Sequence, residues 1–128
     1  KCNLVSNGLL VSSITLHELE RAGLNGIQFS LDGLRDSHEH MRGLPGLYDR
    51  VLDAIDIALN ETSLHFSIAF CPASFNVDDF KPDYTMLRDK LKSSGRTDRI
   101  DLRVQPLMLL GRARRNRTIR LLIINTVG

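Results

Sequence analysis

The chain of 128 residues is long enough for one domain with its own core, and 42% apolar with 25% charged residues excludes a disordered polyelectrolyte. Its net charge of +2 conceals an asymmetry, with 5 Lys/Arg against 9 Asp/Glu in residues 1–64 and 12 against 6 in residues 65–128. No apolar run approaches the roughly 18 residues that span a bilayer, so a membrane partner is not expected. Five arginines lie between Arg112 and Arg120 with no aromatic among them, which fits a solvated or phosphate-touching tail better than a nucleic-acid surface. Cys2 and Cys71 are far apart and match no metal spacing. Without a secretory segment they read as reduced thiols of a cytoplasmic protein. The chain opens on Lys1, already inside an apparent strand, so a piece of something larger is expected.

Asn3-Leu4-Val5-Ser6 reads as a short strand stopped by Asn7-Gly8, a pair that readily takes positive φ. Thr15-x-x-Glu18 has the form of a capping box, and Leu16, Leu19 and Ala22 follow at helical spacing until Gly23. Gly26 to Leu31 alternates Ile27, Phe29 and Leu31 with Gln28, Ser30 and Asp32, and Asp32-Gly33 turns the chain away. With helices on the apolar row, the polar row faces the side where ligands bind near strand C-termini, which makes Ser30 the first candidate contact. Leu34 to Pro45 reads as a polar, histidine-bearing loop of a length that often serves function.

From Gly46 to Asn60, Leu47, Val51, Ile55 and Ala58 form a helical stripe widened by Tyr48, Leu52 and Leu59. Asp49, Arg50, Asp53 and Asp56 occupy the other face and read as solvated rather than catalytic. Leu64 to Cys71 alternates again, with Phe66, Ile68 and Phe70 on one side. Pro72 to Pro82 reads as a loop, with Asp83 capping a helix that turns Tyr84, Leu87 and Leu91 inward before Gly95. Ile100 to Leu107 is the fourth strand, its apolar row Ile100, Leu102 and Val104, with Leu107 in the opposite row. Leu121 to Ile124 is an apolar patch of unassigned structure in a tail, residues 115–128.

Strands and helices alternate, which implies an α/β fold of parallel βα repeats with right-handed crossovers. No Gly-x-Gly-x-x-Gly or Walker loop follows any strand, which disfavours a dinucleotide or nucleoside-triphosphate site. Four strands are half of an eight-unit barrel.

Three pieces stand together: Val5-Ser6-Asn7-Gly8; Phe29-Ser30-Leu31-Asp32-Gly33 with His38 and Arg42-Gly43; and Val104-Gln105-Pro106-Leu107 leading to Gly111-Arg112-Ala113. Jointly they resemble the middle of a radical S-adenosylmethionine enzyme, of the SPASM-bearing subgroup that matures peptides or peptide-derived cofactors. The resemblance spans roughly residues 3 to 114. It implies a partial TIM barrel, with residues 1–128 as one central fragment, in which S-adenosylmethionine lies across the strand C-termini and is cleaved at a 4Fe-4S cluster. It also implies that Ser30 and Arg42 contact the cofactor, Arg42 near its carboxylate, where a guanidinium fork suits the acceptor pair. Leu107 or a neighbour would pack near the adenine, with Ser6 and Asn7 on the same rim as weaker candidates.

The local alternative is that Ser30 caps the following loop and Arg42 pairs with Asp32, Asp36 or Glu39. His38-Glu39-His40 offers possible metal ligands, but no third and fourth ligand, so His38 is expected to support the site by an ordinary hydrogen bond. The chain departs from the family in lacking its Cys-x-x-x-Cys-x-x-Cys loop and C-terminal extension; a cluster needs thiolates that Cys2 and Cys71 cannot supply. The function expected is therefore that of an inactive fragment of an enzyme that starts radical chemistry on a peptide or small precursor. Two open sheet edges imply self-association of such a fragment. A small α/β ligand- or partner-binding module without redox chemistry, and a functionless remnant, are the alternatives.

Overall fold

A computed structural model of the protein describes residues 1–96 and 101–105. In them, β1 (Asn3–Ser6), β2 (Gly26–Ser30), β3 (His65–Phe70) and β4 (Asp101–Val104) form one sheet in sequential order, every neighbouring pair parallel. Parallel neighbours require crossovers. These are α1 (Ser13–Arg21), then α2 (Arg35–Arg42) and α3 (Leu47–Glu61), then α4 (Phe80–Ser93). The α/β class and strand order agree with the alternation read from the sequence.

Residues aligned across a parallel ladder share a face. Ile27 aligns with Phe66, and Phe29 with Ile68; these four are buried in one core with Leu16 of α1, Val51, Ala54, Ile55 and Ala58 of α3, and Leu87 of α4. Helices from all three crossovers thus meet the same sheet face. The Phe29 and Phe66 rings tilt against each other at 5.8 Å, and each buried side chain of this size contributes about 1.5–3 kcal/mol. The other face carries the rows Val5, Gln28, Ser67, Asp101 and Ser30, Ala69, Arg103. Val104 lies in the helix-side row but is 56% exposed, against the expectation of burial. It sits on a strand whose only neighbour among the described residues is β3. Ile100, Leu107, the Gly111-Arg112-Ala113 segment and the Leu121 to Ile124 patch lie outside the described residues.

Three local expectations are corrected. Leu34 to Pro45 contains α2, closed by Gly43 in the left-handed region. Its one buried residue is His38, so the inward face carries no aliphatic stripe to betray a helix. The cap of α1 is Ser12, whose Oγ accepts the Thr15 N–H at 3.2 Å, so Thr15 is the third helical residue and not the cap; Ala22 is exposed. Finally, α4 starts at Phe80, and Pro82 falls inside its first turn, where a missing N–H breaks no helical bond. This places Asp83 beyond the cap position and turns it inward, while Tyr84, expected inside, is 44% exposed.

Polar fastenings join the helices to the strand starts. Arg96 donates to the carbonyls of Ala58, Thr62 and Leu64 at 3.2, 3.3 and 2.9 Å, closing the C-terminal end of α3. Glu20 Oε2 accepts both the N–H and the hydroxyl of Ser63. Gly8, at φ +82°, lets the β1–α1 turn touch α3: a Cβ there would lie 2.9 Å from Val51 Cα.

Candidate functional site

The polar groups converge where β2 and β3 end. Asp32, two residues beyond β2, is fully buried, and a buried carboxylate persists only when paired and hydrogen-bonded. Its Oδ2 accepts Nε of Arg42 at 2.7 Å and also meets Nη2 at 2.7 Å, while Oδ1 accepts the Cys71 N–H at 2.9 Å. Its own N–H donates to His38 Nδ1 at 3.0 Å, and its carbonyl accepts Asn76 Nδ2 at 2.8 Å. Asn76, also buried, donates to the Cys71 carbonyl at 2.9 Å and accepts the Ala73 N–H at 2.6 Å. One carboxylate and one amide thereby lock the β2 and β3 exits together.

His38 accepts through Nδ1, so its neutral ring carries the proton on Nε2, a buried atom without a partner. Burial holds its pKa below the usual value; Asp32 opposes this and Arg42 adds to it. Glu39 Oε1 accepts the N–H groups of Gly46 and Tyr48 at the start of α3, and the His40 ring stands edge-on to Phe75 at 4.7 Å. The three residues of the His-Glu-His run thus have separate structural tasks. Among the described residues no three His, Cys, Asp or Glu are grouped to hold a metal. The Cys71 thiol is half-buried, and burial and then Asp32 push its pKa up, so it is not a poised thiolate.

Of the residues named from the sequence, the structure brings Ser30 and Arg42 to the same strand end through Asp32. Arg42 makes the local pairing with Asp32; its side chain stays 34% exposed and Nη1 has no partner among the described residues. Ser30 aligns with Ala69 on the sheet face opposite α1, α3 and α4, half-buried, and its hydroxyl likewise has no partner among the described residues. Ser6 and Asn7 hold their own turn, accepting the N–H groups of Gly8 and Leu9 at 3.0 Å each. Ser6 aligns with Phe29, in the helix-side row. Leu107 lies outside the described residues.

Sequence reading gave Asn76 no role and took Asp83 for a helix cap. Asp79 Oδ2 accepts the Leu34 N–H at 3.0 Å, where α2 begins. Asp83 is 2% exposed, and among the described residues no well-formed hydrogen bond reaches either of its oxygens, the Gly33 N–H being the nearest donor. Burial, then Asp79 and Asp32, push its pKa up to about 7, with the Gly33 N–H offsetting part of the rise.

Over 87 residues, 67% of the chain, the sequence is 25% identical to the AdoMet-dependent heme synthase of Methanosarcina barkeri (strain Fusaro / DSM 804). The match spans a quarter of that protein's length. No family model matches. The similarity supports a relationship to S-adenosylmethionine-dependent enzymes. No helix among the described residues is long and apolar enough to cross a membrane.

Proposed function

We propose that this chain is a central segment of a radical S-adenosylmethionine barrel, and that its part in the enzyme is to hold S-adenosylmethionine at the C-terminal ends of its strands. The observation that carries this reading is the placement of an anchored guanidinium and a hydroxyl at one strand end. Asp32 fixes Arg42 through Nε and Nη2, and among the described residues neither Arg42 Nη1 nor Ser30 Oγ has a partner. Arg42 Nη1 would bind the methionyl carboxylate and Ser30 a polar group of the same molecule. A sheet in sequential parallel order with all crossovers on one face is also what a barrel segment requires. The similarity to an AdoMet-dependent enzyme points the same way.

When bound, S-adenosylmethionine supplies the adenosyl group whose radical opens chemistry on a peptide or small precursor, the substrate class of the SPASM-type resemblance. The cluster that such cleavage needs does not fit this chain. Cys2 is exposed, Cys71 is a raised-pKa thiol, and no ligand trio exists among the described residues. The residues here bind and orient, and supply no electron.

That lack favours a second reading, a small α/β binding module without redox chemistry. Calorimetric titration of S-adenosylmethionine into the protein, with Ser30→Ala and Arg42→Ala beside it, separates the two. Loss of one hydrogen bond to a charged group, about 1.5–3 kcal/mol, should weaken binding roughly tenfold to more than a hundredfold in Arg42→Ala. Ser30→Ala should weaken it with an unchanged melting temperature. Absence of saturable binding in the wild type returns the site to the module reading.

A further inference from the structure

The start of α2 hangs on the start of α4. Asp79, immediately before α4, accepts the Leu34 N–H. Asp83 lies four residues on, hence on the same side of the first turn. It is almost completely buried, and among the described residues neither oxygen has a well-formed hydrogen bond. A charged carboxylate in that position is costly; a neutral one is not.

Its neighbours add negative charge that a single N–H only partly relieves. From before α4 comes Asp79 and from the β2–α2 loop Asp32, both opposing ionisation, while the Gly33 N–H of that loop favours it. From α3 comes Tyr48, whose phenol is itself pushed up by burial and by Asp83. From α2, Arg35 stacks over the Tyr48 ring at 5.1 Å, but its guanidinium is engaged by both oxygens of Asp49 at 2.8 and 2.7 Å. Gly33 is pressed so close that a Cβ would lie 2.8 Å from Asp79 Oδ2, so the loop has little room to adjust.

We propose that Asp83 is a proton-operated latch on the loop that carries Asp32 and opens α2. Protonated, Asp83 is neutral, and the first turn of α4 stays seated with Asp79 bonded to Leu34. On losing its proton to water, Asp83 and Asp79 become two carboxylates one helical turn apart. The turn then moves toward solvent and gives up the Leu34 bond. Because α2 bears His38 and Arg42, the latch governs how firmly the guanidinium is presented. It does so whatever the site binds, and so stands apart from the cofactor reading.

Opening releases one proton, so the opening constant should rise roughly tenfold per pH unit from about 4 and level off where the seated carboxyl itself ionises. The test is hydrogen exchange of the Leu34 amide, corrected for its intrinsic pH dependence, in the whole chain between pH 5 and 8.5. A carboxyl-carbon titration of Asp83 by NMR accompanies it. The expected result is a wild-type slope ending near pH 7, no slope in Asp83→Asn, and an Asp83 midpoint that falls in Asp79→Asn. An Asp83 midpoint near 4, or the same slope in Asp83→Asn, overturns the latch. Should Asp83→Asn fail to fold, the wild-type titration decides: a midpoint near 7 that tracks Leu34 exchange supports the latch, and one near 4 refutes it.

Discussion

Removing Arg42 and Asp32 singly and together measures what holds the candidate site in place. Arg42→Ala strands a fully buried carboxylate with only the Cys71 N–H as donor among the described residues, and breaking one side of a buried pair costs about 3–5 kcal/mol. Asp32→Asn keeps an acceptor for Cys71 but turns Arg42 loose; since that side chain is 34% exposed it reaches water, and the cost is smaller, about 2–3 kcal/mol. The double variant removes both groups of the pair, so the costs should not add, and a coupling of about 1.5–3 kcal/mol is expected. Against a total stability of about 5–15 kcal/mol, each single change is large. Urea unfolding of the four proteins, followed by circular dichroism, gives all the terms. A coupling below about 0.5 kcal/mol, or a cost for Arg42→Ala no greater than the ~1 kcal/mol of a surface pair, would refute the view that Asp32 anchors this guanidinium.

Arg96→Ala should lower stability by about 1–3 kcal/mol, because three carbonyls at the α3 end lose their charged donor; thermal melts check it. Gly8→Ala should cost more than about 1 kcal/mol, from its positive φ and its collision with the α3 backbone, seen as a lower urea midpoint with an unchanged slope. Asp83 has a folded pKa raised to about 7, so the folded state binds the proton more tightly than the unfolded one. The stability that proton confers is complete below the ordinary carboxyl value and is lost as pH rises toward 7. Asp83→Asn should therefore gain on the wild type by up to about 4 kcal/mol at pH 8, and a pH series of melts would show the two curves converging in acid.

The strand rows were legible because Ile27, Phe29, Phe66 and Ile68 alternate with polar residues, and period-2 alternation survives as a core in any sheet with one covered face. The α2 helix was not, since its inward position is held by His38, and no hydropathy pattern marks a histidine that turns inside. Asp83 was misplaced for a related reason. Pro82 looks like a helix boundary, but in a first turn it is harmless, and moving the start back to Phe80 converts a cap into a buried acid. For the candidate site, Ser30 came from the strand pattern and Arg42 from the family-like spacing. The pairing of Arg42 with Asp32 was one of three local alternatives, and geometry alone selects it. Asn76 could not be found, because its bonds reach back to Asp32 across β3 and depend on the tertiary fold.

The sequential parallel order also has a kinetic meaning. No pair of neighbouring strands can zip from a tight turn, because each pairing must wait for an intervening helix to form and pack. The stretch from β2 through α3 to β3 contains most of the buried side chains and can condense as one βαβ unit, while β1, with Asn3 to Val5 exposed, brings few. The turn at Gly8 seats only against a finished α3, so β1 has a dock only after that unit exists. The N-terminal strand, first off the ribosome among these elements, is thus among the last to find its place, and until then the β2 edge stands open to other chains.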